Sequence, residues 1–234
     1  MQEREVHIKA VFFDIDGTIL DCSGAGKKSL IKATLEVFGT IGNMKMVDFQ
    51  GKTDPVILIE SLHNMGFSEQ SIAEKSGALK EKYFSYLEKF ILEHDSRIMP
   101  GVMEIIESLA GNDRVLLGVL TGNFRESARI KLDRFNLSAF FKIGVYGDDA
   151  PVRNGLPPVA RGLIRDTLGL DIDYGDMTII GDTVYDIDCA KNVGAVSIAV
   201  GTGWADRERL LARGPDHYFE DLRDTGRVLD IILS

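Results

Sequence analysis

The sequence predicts an α/β fold in which a doubly wound parallel sheet is interrupted by an all-helical insert. Three observations carry this prediction. Short apolar runs of strand length alternate with segments of helical spacing over most of the chain, the pattern of strands joined by crossover helices. Those runs are nearly continuous in apolar residues, as suits strands covered on both faces. Only residues 22–95 break the rhythm, with helix patterns and no convincing strand.

The first run, Val6 to Phe13, stops abruptly at Asp14, and Arg114 to Leu120, Lys142 to Tyr146, Met177 to Ile180 and Val196 to Val200 repeat it. Between them lie helical segments: Val102 to Leu109 after a Pro100-Gly101 turn, then Arg125 to Phe135, Pro157 to Leu168 and Tyr185 to Asn192. Within the insert, Lys28 to Phe38 sets Leu30, Ile31, Leu35 and Phe38 near helical spacing. Thr53-Asp54-Pro55 opens Val56 to Met65, and Ser71 to Glu74 reads as a capping box in the segment Glu69 to Glu93. The polar stretches Asp21 to Gly24 and Asp95 to Arg97 bound it, which gives a Rossmann-like core at 1–21 and 96–234 and a helical unit at 22–95.

With 234 residues, the chain has room for one large domain or a domain with an insertion. The 44% hydrophobic and 27% charged content is that of a globular protein with a real core. A net charge of -9 and no basic cluster longer than Lys27-Lys28 exclude a nucleic-acid footprint. No apolar run approaches the length of a membrane span, and the mixed charges of Met1 to Glu5 are unlike a signal peptide, so a cytoplasmic protein with no membrane partner is expected. Cys22 and Cys189 show no disulfide or metal spacing and are read as reduced.

The chemistry gathers where apolar runs end. Asp14-Ile15-Asp16-Gly17-Thr18 places two carboxylates beyond the first strand, where open α/β sheets bind ligands. Residues two apart in an extended chain share a face, and Gly17 can turn the backbone, so both acids are expected to aim at one point. A bland turn would gain nothing from two repelling acids. Gly181-Asp182-Thr183-Val184-Tyr185-Asp186-Ile187-Asp188 follows another strand, with Asp182 at its end and Asp186 one helical turn on. Hard oxygen ligands from separate strands suit Mg²⁺; Asp188 is read as an acid favoured by the helix dipole. Thr121-Gly122-Asn123, between a strand and a helix, supplies a hydroxyl, a close backbone approach and N-terminal amides, an anion cradle.

Taken together, these segments resemble the haloacid dehalogenase-like hydrolase superfamily, in particular its phosphatases with a helical cap inserted after the first strand. The resemblance spans the chain: Asp14 to Thr18 matches DxDGT, Thr121 the Ser/Thr motif, and Gly181 to Asp186 the GDxxxD motif. It implies that Asp14 is a nucleophile forming an aspartyl-phosphate and Asp16 the general acid/base. It also implies a Mg²⁺ site in which Asp14 and Asp182 give side-chain oxygens, Asp16 its carbonyl, and Asp186 support. Dehalogenases of the superfamily lack an aspartate at the position of Asp16, so that residue favours phosphate chemistry. The layout is similar to phosphoglycolate phosphatases, implying a small phosphorylated metabolite as substrate.

The chain departs from the family at the lysine expected before the last catalytic strand. Residues Asp149 to Pro158 contain none, and Arg153 is assigned the role, keeping charge and phosphate affinity with a different geometry. Lys131 falls mid-helix and Lys142 opens a strand, so both are expected to point away. Lys52, in a glycine turn before a helix, is the expected cap contact with substrate. Gly24 to Ser29 fails the Walker A spacing, and Asp182 to Val193 fails that of an EF-hand. Trp204 and His63 are read as packing or surface residues, and Asp148 and Asp149 as a solvated turn. The rival readings are a phosphomutase on the same scaffold, a phosphonatase using Lys52, and a catalytically silent binding or regulatory homologue. Oligomeric state is not fixed by the sequence.

Overall fold

The computed structural model describes residues 7–234; Val6, where the first strand is expected to begin, lies outside them. Six strands form one parallel sheet: β1 (Lys9–Phe13), β4 (Val115–Leu120), β5 (Ile143–Val145), β6 (Met177–Gly181), β7 (Val196–Val200) and β8 (His217–Phe219), in the order β5-β4-β1-β6-β7-β8. Phe13 is level with Val119 of β4 on one side and Ile180 of β6 on the other. The residues that follow these three strands, Asp14, Thr121 and Asp182, therefore emerge along a single edge.

Strand periodicity sorts the core into two layers. Val11 and Phe13 pack with Leu117, Val119, Ile180, Ile198 and Val200 beneath α4 (Val102–Ala110) and α9 (Thr225–Leu233). Ala10 and Phe12 join Leu116, Leu120, Val145 and Ile179 under α6 (Leu156–Leu168) and α7 (Val184–Lys191). Both faces are covered, which is why the strands read as unbroken apolar runs. α5 (Arg125–Asp133) is shorter than expected and gives way to a turn at Asn136, whose φ is 57°. β8, α8 (Arg207–Ala212) and α9 have no counterpart among the expected elements.

The insert leaves and re-enters the core through a two-stranded antiparallel ribbon, β2 (Leu20–Asp21) with β3 (Arg97–Ile98), reinforced by an Arg97–Asp21 ion pair at 2.9 Å. Between these strands lie α1 (Ala25–Phe38), α2 (Asp54–Leu62) and the 25-residue α3 (Glu69–Glu93). Leu30, Leu79, Tyr83, Leu87 and Phe90 are buried in the seam between α1 and α3. Thr53 caps α2, accepting the Val56 N–H at 3.4 Å, with Pro55 in the first turn. The cap of α3 is Ser68, accepting from Ser71 N–H at 3.2 Å. The expected box at Ser71 thus lies inside the helix, because the earlier serine already has the extended backbone of an N-cap. No helix among the described residues is long and apolar enough to cross a membrane.

Candidate active site

After Phe13 the chain leaves the sheet and turns at Gly17 (φ +86°), with Leu20 N–H returning to Ile15 O at 2.9 Å. This loop separates the two acids. Both line one cavity of about 590 Å³, roofed by the insert, but each has its own cation. They do not alternate along one strand, since Asp14, Ile15 and Asp16 all lie beyond the end of β1, yet both open onto this cavity.

Asp14 belongs to a buried cluster. A carboxylate oxygen from each of Asp14, Asp182 and Asp186 lies within 4.8 Å of the others. Arg153, from the loop before α6, enters this cluster with its side chain 5% exposed. Its Nη2 donates to Asp186 Oδ1 at 2.5 Å and lies 3.0 Å from Asp14 Oδ1, off the angle of a hydrogen bond. Asp186 Oδ2 accepts from Thr183 N–H at 3.0 Å and Thr183 Oγ1 at 2.7 Å, closing a capping box on α7. Both Asp186 oxygens are thus engaged by protein donors, and Asp186 braces Arg153 and α7 from within the carboxylate cluster.

Burial raises Asp14 to about 6; the Asp186 and Asp16 charges add to this, and the Arg153 guanidinium opposes it. Burial, with Asp14 and Asp186 nearby, lifts Asp182 well above the usual carboxylate range. Asp14 Oδ1 and Asp182 Oδ2 are buried without hydrogen-bond donors. Two unsatisfied hard oxygens in a negative pocket fit a divalent cation, which would offset both the repulsion and the missing bonds.

Asp16 faces the end of β4. Its Oδ2 accepts from Asn123 Nδ2 at 2.9 Å and Lys131 Nζ at 2.5 Å, and Lys131 also donates to Asn123 Oδ1 at 2.6 Å. Lys131 is buried and lines the cavity, which corrects the expectation that it points away. Helical side chains lean toward the N-terminus, and a four-carbon stem reaches back more than a turn. Lys131 is buried in α5 together with Ser127, Ala128, Ile130 and Leu132. Lys142 is exposed at the start of β5.

The cradle at Thr121 to Asn123 differs from its expected form. Thr121 Oγ1 accepts from Asn123 Nδ2 at 2.8 Å, and Asn123 is turned to Asp16. Phe124 N–H donates to Asp54 Oδ2 at 2.8 Å and Arg125 N–H to Asp148 Oδ2 at 2.7 Å. Protein carboxylates therefore occupy the N-terminus of α5, whereas Thr121 and Gly122, the latter with an N–H that has no partner among the described residues, line the cavity.

A sequence model described as haloacid dehalogenase-like hydrolase matches residues 11–200. The chain belongs to the haloacid dehalogenase-like hydrolases. It is 28% identical to the phosphoglycolate phosphatase of Chromobacterium violaceum over 208 residues, covering 87% of this chain and 90% of that one. It is 24% identical to the pyrophosphatase PpaX of Oceanobacillus iheyensis over 220 residues, covering 93% and 94%. A hydrolase from Pseudomonas syringae shares the fold with a TM-score of 0.72 at 23% identity, over 97% of this chain and 100% of that one.

In this haloacid dehalogenase-like hydrolase, the insert meets the core at α2. Asp54 N–H donates to Gly122 O at 2.8 Å, and a Cβ at Gly122 would fall 2.2 Å from Lys52 O. Lys52 lines the cavity, but its ammonium pairs with Glu60 Oε2 at 2.6 Å. Arg153 Nη1 donates to Gly51 O at 3.4 Å, a second tie between core and insert. Trp204 is 58% exposed yet lines the cavity, so it is a mouth residue more than a packing one. Asp148 and Asp149 are not a bare solvated turn: they pair with Lys80 and Arg125. Asp54, Lys131 and Tyr83 were not among the expected site residues; all three are buried polar groups on the cavity wall.

Proposed function

We propose that this hydrolase is a Mg²⁺-dependent cytoplasmic phosphatase that cleaves a small phosphorylated metabolite through an aspartyl-phosphate on Asp14. The observation that carries this reading is the division of labour at the edge of the sheet. Asp14 sits beside Arg153 among carboxylates that could hold a cation, while Asp16, in the same cavity, is held apart on Asn123 and Lys131. A nucleophile and a proton-transfer group need this separation of environments.

The Asp14 carboxylate attacks phosphorus and the bond to the leaving oxygen breaks; Asp16 gives that oxygen its proton. Asp16 then takes a proton from water as the water attacks the aspartyl-phosphate, releasing phosphate and restoring Asp14. Arg153, the Thr121 hydroxyl and the Gly122 N–H would hold the phosphoryl oxygens as charge develops. Asp14, Asp182 and the Asp16 carbonyl would hold the Mg²⁺. When bound, it would shield the charge on the transferring group.

The names of the curated relatives support phosphoric ester or anhydride cleavage, and the intact pair of acids argues against a silent homologue. The test is a screen of phosphorylated metabolites with Mg²⁺, following released phosphate and isomerised sugar phosphate separately. Phosphate release that Asp14→Asn abolishes supports the reading. A properly folded Asp14→Asn variant with near wild-type release would refute it, and isomerisation without release would favour the mutase.

A further inference from the structure

Resting on the phosphatase reading, we infer that Lys131 is a positioning residue that locks one oxygen of Asp16 so that the other does the proton transfer. Asp16 Oδ2 takes two donors, Asn123 Nδ2 at 2.9 Å and Lys131 Nζ at 2.5 Å. Oδ1 takes none among the described residues, and the side chain is 32% exposed on the cavity wall. Asn123 cannot do the locking alone. Its amide is oriented by donating to Thr121 Oγ1 at 2.8 Å and accepting from Lys131 at 2.6 Å. Rotating it would set oxygen against oxygen at Asp16 and nitrogen against ammonium at Lys131. The lysine therefore fixes Asp16 twice, directly and through Asn123, in a closed ring of three side chains.

The ring is also joined to the insert. Asn123 lies between Gly122, whose carbonyl accepts from Asp54 N–H at 2.8 Å, and Phe124, whose N–H donates to Asp54 Oδ2 at 2.8 Å. Lys131 Nζ itself lies where a side chain on Gly26 of α1 would come within 3.3 Å. The lysine is closed in by the insert on one side and Asp16 on the other, so Asp16 is fixed when the insert is seated.

Leaving-group dependence separates this role from phosphate binding or mere packing. p-Nitrophenolate departs without a proton, whereas an alkoxide needs one, and hydrolysis of the aspartyl-phosphate needs Asp16 in both cases. In Lys131→Met, turnover of an alkyl phosphate is expected to fall about a hundredfold, within the range of general acid/base catalysis. With p-nitrophenyl phosphate the first turnover should slow less than about tenfold. A burst of about one nitrophenol per active site should follow, then a steady rate about a hundredfold below wild type. Asn123→Ala should reproduce the burst, and a crystal structure of Lys131→Met should show the Asp16 carboxylate rotated off its present position. Equal losses on both substrates with no burst, or an unmoved Asp16, would overturn the proposal. Absence of phosphatase activity in the wild-type enzyme would instead overturn the reading beneath it, and the Asp16 position in the variant would still decide the role of Lys131.

Discussion

Arg153 shares one guanidinium nitrogen between Asp186 at 2.5 Å and Asp14 at 3.0 Å, so its removal leaves three acids facing one another. Arg153→Ala is expected to lower kcat by about a hundredfold or more, the cost of losing a transition-state donor. Arg153→Lys should recover part of this, and Lys142→Ala, at an exposed position, should be nearly neutral; steady-state kinetics on one substrate rank all three. The site was most legible at this scale where residues close a strand. Asp14, Asp16 and Asp182 stand beyond strand ends and Arg153 in a Pro- and Gly-containing loop. Lys131 was hidden because its position along the helix suggests distance, whereas the length and backward lean of its side chain bring it to Asp16.

The N-terminus of α2 fastens the insert to the loop after β4. A methyl group at Gly122 would strike Lys52 O, so Gly122→Ala should loosen this contact and raise KM while the core stays folded by circular dichroism. Asp54, buried there, is raised to about 6 by desolvation and the Asp16 and Asp148 charges, against the pull of Lys131 and the Phe124 N–H. The folded protein thus keeps a proton on Asp54 that the unfolded chain has lost between about pH 4 and 6, so stability from this group falls as pH rises through that window. Asp54→Asn keeps an acceptor for the Phe124 N–H. It should therefore be more stable than wild type above pH 7, by on the order of 1 kcal/mol, with no gain at pH 4; thermal melts at the two pH values check it. Elements were legible in proportion to their apolar length. β8 is three residues with two half-buried, and α8 has a single buried residue, too little pattern to stand out.

For the molecule as a whole, the acid cluster is a debt in the metal-free state. Adding Mg²⁺ should raise the melting temperature, because a ligand bound only to the folded form stabilises it, by roughly 2.7 kcal/mol at a hundred times Kd. Asp182→Asn should lose most of that shift, activity should vanish in excess EDTA, and Ca²⁺ should substitute poorly because it favours more ligands at longer distances. The parallel sheet was readable because both its faces are covered and every main strand is apolar. The ribbon of β2 and β3 was not, since it has only two residues a side and carries no periodicity.

The placement of β1 also shapes how the protein is made. The strand sits between β4 and β6, yet on the ribosome it emerges first, and residue 181, the end of its second neighbour, comes about 170 residues later. At about 5–20 residues per second, the apolar run Lys9-Ala-Val-Phe-Phe stays unpaired on one side or both for about ten to thirty seconds. The three helices of the insert, complete once residue 93 is made, can pack meanwhile. The nascent chain therefore carries a bare sheet-forming segment through most of its synthesis, long before the strands that will flank it exist.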